Sequence, residues 1–158
     1  MKFNVLIIST LVLLLDTGCG TVMREHDGQS SAIITFEEAL VLCKTPRDVS
    51  YWITGTIKYK ADETLADENR PALETVRLGY GDCEDFAILA KYMLDKHGYT
   101  TYVMAMYPPY GTGHSICLID NGTYYNYLTN GIFVINPKPT LEAVIMGFYP
   151  TYSHWILK

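Results

Sequence analysis

The sequence predicts an α+β domain with its helices first and an antiparallel sheet second. Three features carry that expectation. From about residue 35 to residue 98, apolar residues recur at three- and four-residue spacing. After Gly98 the period changes, and Thr100 to Tyr107 is rich in threonine, tyrosine, valine and methionine, the composition of a strand. Asp120-Asn121-Gly122, set between two such runs, is a strong hairpin signal. With 158 residues, 49% of them hydrophobic, the chain can close one core of ordinary size without staples.

The first segment stands outside that fold. Met1-Lys2 gives a minimal positive start, and Val5 to Leu15 is an apolar run too short to span a bilayer comfortably but suited to the core of a signal peptide. Asp16-Thr17-Gly18-Cys19-Gly20 resembles a lipoprotein processing site, with Cys19 as the lipidated residue; Asp16 departs from it, because that position is usually apolar. Processing there would leave the mature chain held at a membrane surface by acyl chains. Residues 20–31 are polar and aperiodic, which reads as a tether. The expected organisation is therefore a signal peptide over 1–18, a tether over 19–34 and a folded domain over 35–158.

Within the domain, Thr35 with Glu38 three residues on forms a capping signature that opens a first helix with Ala39, Leu40, Leu42 and Cys43 on its apolar side. Thr45-Pro46 starts a second, carrying Val49, Trp52 and Ile53, and Gly55 is expected to interrupt it. Lys60 to Arg70 is polar and acidic and reads as a surface loop; Pro71 to Leu78 reads as a short helix. A longer helix starts at Cys83, where Phe86, Ala87, Leu89, Ala90, Met93 and Leu94 mark one face, Asp82 serves as cap and Gly98 as stop. Strands follow over Thr100–Tyr107, Ser115–Ile119 and Thr123–Thr129, with Ile132–Ile135 and Phe148–Ile156 as further strand candidates.

Chemistry concentrates at Gly79-Tyr80-Gly81-Asp82-Cys83-Glu84-Asp85. A sulfur at a helix start lies among free backbone N–H groups at the positive end of the dipole, which favours thiolate and makes a nucleophile. Such a thiol needs a base within hydrogen-bond reach and a third group to orient that base. Of the four histidines, His26 lies in the tether, His97 in the last helical turn and His154 near the end of the chain; His114 follows a glycine loop and begins a strand.

The run Gly-Asp-Cys-Glu-Asp-Phe-Ala, followed by a helix and a histidine-led strand, resembles the transglutaminase-like cysteine peptidase superfamily, and in particular its bacterial branch of periplasmic adhesin-releasing proteases. Ile57-Lys58-Tyr59 and Arg70-Pro71-Ala72-Leu73-Glu74-Thr75 extend the resemblance, which covers roughly Phe36 to Asn136. It implies a papain/transglutaminase-like fold, Cys83 as nucleophile and His114 as base. It also implies an Asp or Asn on the strand after the histidine. No Asp is present there, so Asn126 or Asn130 becomes the candidate, with Asn136 more distant. If Asn121-Gly122 makes a two-residue turn, Thr129 lies across from His114; one further turn residue brings Asn126 onto its face. The branch binds calcium through the acids flanking its cysteine, here Asp82 and Glu84, and calcium would need further carbonyls or waters. The alternative is that Asp82 caps while Glu84 and Asp85 favour the positive helix end.

The expected activity is therefore hydrolysis of a peptide or side-chain amide in the cell envelope, through an acyl-enzyme on Cys83. Two alternatives stay open: an amine acceptor in place of water, giving cross-linking, and a non-catalytic lipoprotein that keeps this fold as a binding module. A net charge of −5 without a basic patch argues against nucleic acid. No close Cys-x-x-Cys or His-x-x-x-His spacing marks a zinc site. Cys43 and Cys117 lie in apolar contexts, as buried thiols or as a pair. The tyrosines clustered from Tyr99 to Tyr152 read as strand residues or as an aromatic groove.

Overall fold

The computed structural model describes residues 34–61, 70–152 and 154–158. The expectations for the leader, for Cys19, for the tether with His26 and for most of the acidic 60–70 stretch fall outside these residues.

Two short helices open the domain, each with a reciprocal capping box. In α1 (Phe36–Leu42) the Glu38 N–H donates to the Thr35 hydroxyl and the Thr35 N–H donates to Glu38. In α2 (Pro46–Thr56) Thr45 and Asp48 do the same. Gly55 does not interrupt α2: it is exposed with open space around it, and the helix continues one residue past it. Next comes β1 (Lys58–Tyr59), which pairs in parallel with β2 (Tyr80–Gly81). Between them in sequence lies α3 (Ala72–Leu78), ended by Gly79 at φ 72°, a left-handed cap that suits glycine. The glycine-rich turn before the cysteine is thus partly a strand.

The longest helix, α4 (Cys83–Asp95), buries Phe86, Ala87, Leu89, Ala90, Met93 and Leu94, the face its periodicity predicts. It stops at Asp95, and His97 lies in the turn beyond it rather than in its last turn; Gly98 at φ 78° completes that turn. Four strands follow: β3 (Thr100–Tyr107), β4 (His114–Asp120), β5 (Tyr125–Thr129) and β6 (Ile132–Lys138). A helix, α5 (Leu141–Phe148), then leads to β7 (His154–Leu157). The five-stranded sheet has the order β6-β5-β4-β3-β7, with every neighbouring pair antiparallel.

The C-terminal part departs most from expectation. Leu141 to Phe148 forms a helix, capped by the Thr140 hydroxyl on the Ala143 N–H at 3.1 Å, so Phe148 ends a helix instead of opening a strand. Strand structure returns only at His154, paired to β3.

Apolar residues pack on both faces of the sheet. One core joins α1, α2 and α4 to Val103, Cys117, Ile119 and Leu128. The other joins Val144 and Ile145 of α5 to Met104, Met106, Ile116 and Leu118. The alternation of β4, with Ile116 and Leu118 on one face and Cys117 and Ile119 on the other, assigns each residue to its core. Cys117 is a buried free thiol, so it does not pair with Cys43.

Candidate active site

Cys83 is the first residue of α4, and the local chemistry that starts the helix also fixes its position. Asp82 is the cap: its Oδ1 accepts from the N–H groups of Glu84 at 3.0 Å and Asp85 at 3.2 Å. In return the Asp82 N–H donates to Asp85 Oδ2 at 3.2 Å, completing a capping box. Asp85 is buried and ion-paired to Arg70. Gly81 is required by this packing, because a Cβ there would stand 2.6 Å from the Cβ of Asp85. Gly-Asp-Cys-x-Asp is therefore one interlocked turn in which only the cysteine side chain is left for chemistry.

The sulfur is held at the start of β4. The backbone N–H of Ser115, the residue after His114, hydrogen-bonds to it and lowers its pKa, but burial, the larger effect, holds the thiol above its ordinary 9.0; Asp82 and Glu84 push it further up. Burial likewise holds His114 below its ordinary 6.5. Desolvation thus works against the thiolate expected from the helix start. Burial disfavours the charged form of both Cys83 and His114, and no hydrogen bond joins them among the described residues. Tyr59 of β1 and Tyr149 just after α5 lie close enough to Cys83 that its ionisation would raise both hydroxyls, and the Tyr149 hydroxyl donates to the Thr112 carbonyl at 3.2 Å, tying α5 to the loop that delivers His114.

The His114 ring has two further neighbours. Its Nε2 lies 2.8 Å from the hydroxyl oxygen of Thr129, and the ring of Phe148 tilts against it at 5.3 Å and 45°. Neither asparagine occupies that place. The turn after β4 spans Asn121 to Tyr124, so Tyr125 pairs with Asp120, and Asn126 falls opposite Ile119, five residues along β4 from the histidine. Asn130 is a turn residue at φ 47°, followed by Gly131 at φ 78°, in the two-residue connection between Thr129 and Ile132. Asn136 is exposed on β6. Asn130-Gly131 is itself a hairpin signal, and reading it as one would have placed Asn130 in the turn rather than beside His114.

Asp82 and Glu84, the pair expected to hold calcium, are both engaged within the chain. One Asp82 oxygen is committed to two backbone N–H groups, and Glu84, 5% exposed, accepts from the Lys158 ammonium at 2.9 Å. Among the described residues no group of three or more His, Cys, Asp or Glu side chains could hold a metal ion. The other two described histidines lie elsewhere: His154 stacks on Tyr107 at 4.5 Å, and His97 follows the far end of α4. No described helix is long and apolar enough to cross a membrane.

No curated protein matches the chain. Among solved structures, two of Legionella pneumophila LapG, one of them EGTA-treated, are similar at 19% identity and a TM-score of 0.47; the matches cover 60% of this chain and 60% and 59% of those chains. A family model described as a transglutaminase-like domain matches residues 36–137, which contain α1 to α4, Cys83, His114 and Thr129. With that match spanning well over half of its length, the chain belongs to the transglutaminase-like family.

Proposed function

We propose that the protein is a thiol enzyme that cleaves amide bonds in peptides, with Cys83 as nucleophile and His114 as base and then acid. The observation that carries this reading is the joint between α4 and β4: the sulfur at the helix start is bonded to the amide of Ser115, immediately after His114. In the proposed reaction Sγ attacks the carbonyl carbon while its proton passes to His114. The tetrahedral intermediate collapses as the imidazolium protonates the leaving amine, and water, deprotonated by the same imidazole, releases the acyl group from the thioester. Because burial disfavours charge on both groups, proton transfer accompanies attack instead of preceding it. The cap occupies the N–H groups of Glu84 and Asp85, and Phe86 N–H bonds the Asp82 carbonyl. Cys83's own N–H, which bonds its sulfur at rest, is the helix-start donor that attack would release to a developing oxyanion.

The membership supports an acyl-transfer chemistry at cysteine, and water as acceptor is the simpler form of it; an amine acceptor would give cross-linking. The leader and Cys19 support export and a lipid anchor, so the substrates would be proteins or peptides of the cell envelope. A second reading, a binding module with this fold, draws on the absence of a hydrogen bond between Cys83 and His114 among the described residues.

The test is hydrolysis of a mixed peptide library, read by mass spectrometry, by protein lacking residues 1–19, alongside Cys83→Ala, Cys83→Ser and His114→Ala. Amine incorporation is measured with a labelled alkylamine in the same samples. Turnover that falls at least about a hundredfold in each variant is expected. Turnover equal in wild type and Cys83→Ala, or a cellular phenotype that survives Cys83→Ser, would give the binding module the better account.

A further inference from the structure

We infer that Thr129 is the positioning residue for His114, so that a neutral hydroxyl stands where this type of site is expected to carry a carboxylate or an amide. The inference rests on the reading of His114 as the base.

The geometry is specific. Thr129 closes β5 and pairs with Ile116, two residues on from His114 along β4, so His114, Ile116 and Thr129 share one face of the sheet. The hydroxyl lies 2.8 Å from Nε2, a full-strength hydrogen-bond distance. Phe148 covers the ring at 5.3 Å and is itself held by Tyr127, also at 5.3 Å. With one edge fixed by Thr129 and a face by Phe148, Nδ1 is the nitrogen left to take the thiol proton.

A hydroxyl suits that task in both protonation states, since it can rotate. By accepting from Nε2–H it leaves the lone pair on Nδ1, the tautomer a base requires. When Nδ1 takes the proton from sulfur, Nε2 keeps its own, and the same acceptor serves the imidazolium. What a hydroxyl cannot supply is negative charge. A Thr129 site therefore orients the ring without stabilising a standing ion pair, in keeping with burial that disfavours charge on both groups.

The experiment combines ring nitrogen NMR with turnover on Thr129→Val, Thr129→Ser and Thr129→Asp. In wild type, the Nε2–H tautomer of His114 should predominate. Thr129→Val, matched in shape, should redistribute the tautomers and lower turnover about ten- to a hundredfold, the scale of one supporting hydrogen bond. Thr129→Ser should retain both the wild-type tautomer and turnover within about threefold. Thr129→Asp should raise the His114 titration midpoint. A folded Thr129→Val with an unchanged tautomer would overturn the inference. The NMR arm needs no substrate, so loss of the hydrolase reading would appear only as absent turnover, while the tautomer still decides Thr129.

Discussion

The two faces of the sheet are built differently. On one face α1, α2 and α4 pack by helix periodicity, each opened by its own cap, and they supply Cys83. On the other, one helix close to the end of the chain covers alternate strand residues, and this face supplies His114, Thr129 and Phe148. Cys83 is thus placed by local sequence, and His114 by strand register and by α5. An error of one residue in the β4–β5 turn leaves the first face untouched and rearranges the second.

Paired core truncations test that division most strongly. Leu89→Ala on the helical face and Ile145→Ala under α5 each remove a fully buried side chain, and each should cost about 2–5 kcal/mol in denaturant unfolding. Of the two, Ile145→Ala should also disturb the His114 ring signals through Phe148. If Leu89→Ala disturbs them as much, the two faces are not separable in the way described.

A pH titration of stability sharpens the comparison further. His114 titrates lower in the folded than in the unfolded chain, so its contribution is full above 6.5 and is lost as pH falls below that value. Cys83 has the opposite window: its folded pKa lies above 9.0, so its contribution is present below that pH and is lost as pH rises through and beyond it. His114→Gln should therefore flatten the acid limb alone, and Cys83→Ala the alkaline limb alone, in denaturation midpoints measured across pH.

The smallest effect belongs to the helical face. Gly55 is helical, exposed and uncrowded, so Gly55→Ala should stabilise by about 0.5–1 kcal/mol by lowering the entropy of the unfolded chain. A thermal melt shifted downward would show that the last turn of α2 needs the glycine.

By itself the sequence determined the caps at Thr35, Thr45 and Asp82, the buried face of α4, the bounds of β3 and the place of Cys83 at a helix start. These depend on contacts within four residues or on a side-chain period, and such information is local. Tertiary structure decided the rest. The length of the β4–β5 turn put Asn126 at the wrong end of the hairpin and Thr129 on the His114 ring. The Asn130-Gly131 turn made Asn130 a turn residue rather than a ring partner. Lys158, far away in sequence, came to pair with the Glu84 carboxylate beside the cysteine. Burial, a property of the packed chain, pushed the Cys83 thiol up against the pull of its backbone donors. Each of these depends on which distant residues meet, and that is settled by register and packing rather than by any one stretch of the chain.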